Sequence, residues 1–187
     1  DGIRDSVAAR GLGDVYKRQI QFLSINGRNQ VSESVITQEM RDAIGVESDP
    51  VAYQIEEGAI LRFAEAIGDT NPIFNDKEEA SKTKYGGIVA PPTFLRSIAH
   101  VKSPEPKIKV TSPYPANVDG GSEWEYFEPI KVGDTITATT YLADLNERQG
   151  GKFGNMLIMV RETKYINQNG TVAALQRTTG ISYQPPE

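Results

Sequence analysis

Four runs near the C-terminus, Ser122–Phe127, Thr135–Leu145, Phe153–Ile166 and Thr171–Tyr183, are rich in Val, Ile, Thr, Tyr and Phe. Val132-Gly133-Asp134, Gln149-Gly150-Gly151 and Asn169-Gly170 separate them. Branched and aromatic residues suit the pleated surface of a strand, and the breaks hold residues that turn the chain. Asn-Gly between two such runs is a strong hairpin signal, because both residues tolerate positive φ. Ile136, Ala138, Thr140 and Leu142 recur at period two, so they share one face of their strand. The spacing predicts an antiparallel meander with one face to cover.

The cover precedes it. Ile55, Ala59, Ile60, Phe63, Ala66 and Ile67 form a broad apolar stripe, with Glu57, Arg62 and Glu65 available for the other side. That pattern predicts a core-facing helix over Glu57–Ile67, ended by Gly68. A first helix is expected over Thr37–Ile44, with Thr37 as N-cap and Gly45 as stop, and a short strand over Val51–Ile55. Asp76-Lys77-Glu78-Glu79 has the spacing of a capping box for a helix running to about Lys84, and Thr93–Ala99 suggests another. Residues 103–115 hold four of the eleven prolines, which predicts an irregular crossing loop. Helices first and an antiparallel sheet afterwards define an α+β domain.

Composition narrows the chemistry. The chain has 187 residues, enough for one domain with a real core, and a formal net charge of -5 argues against nucleic acid or an anionic membrane as partner. No run of 18 apolar residues is present to span a membrane. With no cysteine and His100 alone, thiolate nucleophiles and Cys- or His-rich metal sites are excluded, and no metal is expected. Residues 1–30 read as an extension outside the fold, disordered or artefactual. The string from Ser6 to Gln19 resembles translated sequencing-adapter read-through. Residues 31–187 are taken as a single domain, and the lack of a signal-peptide core leads to a cytoplasmic expectation.

The informative stretch runs Phe63-Ala64-Glu65-Ala66-Ile67-Gly68-Asp69-Thr70-Asn71-Pro72-Ile73-Phe74-Asn75-Asp76, followed by Tyr85-Gly86-Gly87-Ile88-Val89-Ala90-Pro91-Pro92-Thr93-Phe94. With Gly120-Gly121-Ser122-Glu123-Trp124-Glu125-Tyr126-Phe127 and the Asn169-Gly170 hairpin, it resembles the hot-dog-fold hydratases and dehydratases of the MaoC-like family. The nearest branch is the N-terminal, FAS1-like dehydratase domain, and the resemblance runs from about Thr37 to Tyr183. It implies a long central helix wrapped by an antiparallel β-sheet. It also implies an enoyl- or 3-hydroxyacyl-thioester substrate carried on coenzyme A or acyl carrier protein, with no metal or redox cofactor.

Active members of that family use an Asp and a His in a Gly-Asp-x-Asn-Pro-aliphatic-His pattern, because one group must take a proton while another delivers one. Gly68, Asp69, Asn71, Pro72 and Ile73 match, but Phe74 stands at the histidine and cannot move a proton. A glycine N–H polarises the thioester carbonyl in active members. Aligning Val89-Ala90-Pro91 puts Pro92, which has no N–H, at that glycine. Losing an acid–base residue costs about 10²–10⁴-fold, and losing one oxyanion donor about 10²–10³-fold.

The resemblance therefore implies an acyl-binding half that acts as a homodimer or, with a dyad-bearing hot-dog subunit, as a heterodimer. Asp69 and Asn71 are the candidate catalytic residues. Phe74, Tyr85, Gly86, Gly87, Ala90, Pro91, Pro92, Thr93 and Phe94 are the candidates for binding the acyl thioester. A structural alternative stands beside several of these residues. Asp69 and Asn71 suit a turn after the helix, Gly86-Gly87 suits a plain turn, and Trp124 and Tyr126 suit strand packing. His100 reads as a surface or helix-end residue, and Arg161, Lys164 and Arg177 as solvated strand faces. Rival functions are a hot-dog thioesterase, in which Asp69 activates water, and a non-catalytic acyl-thioester-binding protein.

Overall fold

The structure, a computed structural model, describes residues 34–98, 102–150 and 153–185. The expected N-terminal extension, His100, and the end of the helix expected over Thr93–Ala99 lie outside the described residues. Strands β1 (Val51–Gln54), β2 (Ala116–Tyr126), β3 (Thr135–Gln149), β4 (Asn155–Ile166) and β5 (Val172–Tyr183) form one sheet in the order β1-β3-β4-β5-β2. Every pairing is antiparallel. Helices α1 (Gln38–Asp42), α2 (Glu57–Ala66), α3 (Pro72–Asn75), α4 (Lys77–Ser81) and α5 (Phe94–Ile98) precede the four long strands. Residues 103–115 run as the expected irregular crossing. This is the α+β hot-dog architecture.

Only β3, β4 and β5 form a meander. The expected strand from Ser122 begins earlier, at Ala116, and crosses to the far side of β5. The reason lies in β1, which pairs Val51 with Ala138 and occupies the outer edge of β3. The edge of β5 is what remains for β2. The β4–β5 turn also differs from a two-residue Asn-Gly hairpin. Ile166 pairs with Val172, leaving a loop over 167–171. Asn167 Oδ1 accepts the N–H groups of Asn169 (3.0 Å) and Thr171 (3.1 Å), and Gly170 adopts φ +78°. An Asn side chain that holds its own loop in this way outcompetes the tighter turn.

The core forms between α2 and the sheet. Ile60 and Ala64, four residues apart on one helix face, are fully buried and belong with Ile136 and Ala138 of β3 to the buried interior. Tyr165, Ala174, Phe94 and Leu95 share the cluster of Ile60. The stripe differs from expectation at its end. Ala66 faces solvent on the opposite side of the helix from Ala64, and Ile67 is 49% exposed because it is the C-cap, where the chain turns away. Gly68 adopts φ +68° and donates to Glu65 O (3.0 Å), while Asp69 N–H donates to Ala64 O (3.0 Å). These paired bonds are the glycine helix stop the sequence predicts.

Two helices are shorter than expected. Thr37 caps α1 by accepting Met40 N–H at 3.2 Å, but Ile44 has already left the helix to bridge Leu142 of β3. Asp76 caps α4 by accepting Glu78 N–H (2.9 Å) and Glu79 N–H (3.0 Å). The reciprocal half of the capping box is absent, since Asp76 N–H is taken by Pro72 O and Glu79 pairs with Lys82. Helix α4 ends at Ser81, with Lys82 as its C-cap.

On the opposite sheet face, Glu162 accepts Tyr141 OH (2.5 Å) and Arg177 Nε–H (2.7 Å). The tyrosine hydrogen bond first, and the guanidinium after it, hold its carboxyl below the ordinary 4.5. A depressed carboxyl contributes stability above its unfolded value and loses it as pH falls through the folded value. The wild-type urea midpoint is therefore expected to drop below about pH 4.5, and Glu162→Gln to lie closer to wild type at pH 3 than at pH 7. In the core, Ile60→Ala is expected to cost about 2–5 kcal/mol in urea unfolding. Ile67→Ala, exposed at the C-cap, is expected to stay within about 0.5 kcal/mol.

Candidate functional site

The chain leaving α2 is held in part by its own side chains. Asp69 Oδ1 accepts Asn71 N–H at 3.0 Å, and Asn71 Oδ1 accepts Ile73 N–H at 3.2 Å, which makes Asn71 the N-cap of α3. Pro72 occupies the first turn, where its missing N–H is harmless. Asn75 Nδ2 donates back to Asp69 O at 3.2 Å. Both candidate catalytic residues thus serve the turn, with Asp69 half-buried and Asn71 exposed.

The same turn directs Phe74 inward. It is 8% exposed and packs with Ala64 and Val89, flanked by Ile73 and Tyr85. Val89 N–H donates to Ile73 O (3.1 Å) and Ala90 N–H to Ile130 O (2.8 Å), tying the 88–92 stretch to both neighbours. Phe74 thus places an aromatic ring in an apolar cluster.

Beside Phe74 opens a cavity of about 370 Å³. Five of the predicted binding residues line it: Phe74, Tyr85, Ala90, Pro91 and Pro92. The others stand elsewhere. Gly86 and Gly87 line a separate recess of about 240 Å³ with Lys131. Thr93 is exposed and lines neither hollow. Phe94 is a core residue, 1% exposed and edge-on to Phe63 at 5.6 Å. Its N–H donates to Pro91 O (2.9 Å), and this turn into α5 places its ring in the core. Asp69 and Asn71 do not line the cavity either.

Sequence reasoning missed the opposite wall, made by Tyr126, Phe127, Pro129 and Ile130. The signal was present in the alternation of Trp124 and Tyr126, which reads as strand packing. Trp124 does pack, stacking on Tyr126 (5.9 Å) and on Tyr165 (5.8 Å). Tyr126 also lines the cavity and donates its phenol to Pro92 O, and burial raises its pKa. Lys84 and Glu128 bring charge to the lining, and both are exposed. Lys84 lies over the Tyr85 ring at 5.1 Å. The walls offer dry apolar contact, and the Phe74 side supplies no group that exchanges a proton near neutral pH. Among the described residues, no group of three or more His, Asp or Glu side chains is placed to hold a metal, and no helix is long and apolar enough to cross a membrane.

A family model for the FAS1-like dehydratase domain region matches residues 42–176. A "UPF0336 protein" of Streptomyces avermitilis is 31% identical over 107 residues, covering 55% of this chain and 69% of that protein. A "Probable enoyl-CoA hydratase alpha subunit" of Thermomonospora curvata is 26% identical over 140 residues, covering 67% of this chain and 44% of that protein. The C-terminally truncated HadBC (3R-hydroxyacyl-ACP dehydratase) complex of Mycobacterium tuberculosis has the same fold. Its TM-score is 0.61 at 22% identity, over 75% of this chain and 98% of the other.

If Asp69 serves the turn through an accepting oxygen, Asp69→Asn retains that oxygen and is expected to leave the melting temperature nearly unchanged. Asp69→Ala removes it and is expected to cost about 1 kcal/mol, read by thermal or urea unfolding.

Proposed function

The chain belongs to the FAS1-like dehydratase domain family, and from that premise we propose that it is the acyl-chain-binding half of an enoyl-thioester hydratase or 3-hydroxyacyl-thioester dehydratase. The observation that carries this reading is Phe74. At the position of the proton-moving histidine, a buried ring forms one wall of an apolar cavity. Pro92, at the position of the oxyanion donor, lends its carbonyl to Tyr126 and has no N–H for a thioester. A cavity of about 370 Å³ with aromatic and proline walls suits a hydrocarbon chain. The thioester carrier is coenzyme A or acyl carrier protein, and the chemistry requires no metal or redox cofactor.

The catalytic Asp and His come from a second hot-dog subunit, and the hydro-lyase activity belongs to the pair. Strand β2 offers an edge for it, because its paired side faces β5 while Val118, Tyr126 and Phe127 at that border remain exposed. The complex in which the dehydratase of similar fold occurs, and the designation of another relative as an alpha subunit, support a two-subunit arrangement. The reading places the protein in the cytoplasm, where acyl thioesters are metabolised.

Hydration of crotonyl-CoA and of a longer enoyl-CoA, followed by loss of absorbance at the conjugated double bond, tests the proposal. Activity is expected when the chain is co-expressed with the neighbouring reading frame and not from the chain alone. Robust turnover by the chain alone would overturn the half-site reading. Binding of acyl-CoA without turnover in either preparation would favour a non-catalytic thioester-binding protein.

A further inference from the structure

A second cavity, of about 580 Å³, shares no wall residue with the first. Its floor is the sheet face that also carries Ile136 and Ala138, one row further on. There Thr140, Thr163 and Gln176 are direct cross-strand neighbours in β3, β4 and β5, and in the next row Arg161 stands opposite Thr178. The crossing loop contributes Glu105 and Lys109 to the walls, and α5 contributes Arg96.

Polar residues on a core-facing row require partners, and most have them inside the protein. Thr163 donates to Thr140 Oγ1 (3.1 Å), and Thr140 donates to Glu162 O (3.2 Å). Tyr165 OH donates to Gln176 Oε1 (3.0 Å), and Gln176 Nε2 donates to Ser122 Oγ (3.2 Å). In the next row Thr178 and Arg161 have no side-chain partner among the described residues, and only Arg161 carries charge. It is half-buried, it lines the cavity, and among the described residues its guanidinium has neither an ion pair nor a side-chain hydrogen bond. Three cationic side chains, Arg96, Lys109 and Arg161, line this space against the single carboxylate of Glu105, in a chain whose net charge is -5. An alkyl chain laid here would strip water from Arg161 and give nothing back. A carboxylate would meet the planar fork of the guanidinium in its preferred bidentate geometry.

We propose that this cavity, in place of the one beside Phe74, takes the acyl end of a dicarboxylic acyl thioester, its distal carboxylate on the fork of Arg161 with Arg96 and Lys109 at the mouth. The proposal rests on the acyl-binding reading and narrows its substrate class. The phosphates of the coenzyme share the oxyanion chemistry, so the probes must separate the two sources.

Adipyl-CoA and hexanoyl-CoA have the same chain length and the same phosphates and differ in the distal carboxylate. Titration calorimetry of the full chain, alone and with its co-expressed neighbour, compares them with free coenzyme A. Adipyl-CoA is expected to bind about tenfold or more tighter than hexanoyl-CoA. Arg161→Gln is expected to abolish that preference while sparing hexanoyl-CoA, and Arg161→Lys, which keeps the charge and loses the fork, to retain part of it. Equal or weaker binding of adipyl-CoA would overturn the proposal and leave the acyl-binding reading standing. An equal loss of all three ligands in Arg161→Gln would assign the cations to coenzyme phosphates and also overturn it. If neither acyl-CoA binds better than free coenzyme A, the acyl-binding reading falls as well.

Discussion

Burial of one face of α2 together with the β3 residues Ile136 and Ala138 is the contact on which the rest depends. Ile60 is fully buried there, and Ala64, one turn on and also fully buried, serves twice. Its side chain packs with Phe74 and Val89, and its carbonyl receives the N–H of Asp69. The helix stop at Gly68 is therefore anchored in the core, and it fixes where the Asp69–Asn75 turn starts. That turn cannot move without disturbing the most buried part of the helix. A close-packed interior transmits such constraints because it has little free volume in which to absorb them.

Strand order supplies the second constraint. With β1 along the outer edge of β3, β2 lies at the far edge beside β5, and its aromatic residues meet those of β4 on the core-facing side. Trp124 stacks on Tyr126, which lines the apolar cavity, and on Tyr165, which lines the cationic one. One indole thus stands between two hollows of opposite character. One is walled by rings and prolines, the other by hydroxyls, an amide and three cations. The two hollows therefore differ in chemistry although both are built on the same helix and sheet.

This separation explains how family membership and local chemistry can diverge. The match over residues 42–176 spans the helix, the turn and most of the sheet. Phenylalanine buries more apolar surface than histidine in the Ala64–Val89 cluster, and proline fits the bend before α5. The turn uses the side-chain oxygens of Asp69 and Asn71, so their presence alone is no sign of proton transfer.

Periodicity and turn chemistry made much of this fold legible in the chain. Thr37, Gly68 and Asp76 mark helix ends by local hydrogen bonding, which depends on neighbours in sequence. The alternation from Ile136 to Leu142 marks a strand with one buried face. The motif from Gly68 to Ile73 pointed to the family. Long-range competition decided the rest. The position of β2 depends on which strand edges are already occupied, and the loop around Asn169 on a side chain that displaces the shorter turn. That Phe94 enters the core while Tyr126 lines the cavity depends on how α5 and β2 sit against the sheet. The neighbourhood of Arg161 joins residues from β1, α5, the crossing loop, β3, β4 and β5. Spacing along the chain determines which residues share a face, but only packing across the chain determines what that face meets.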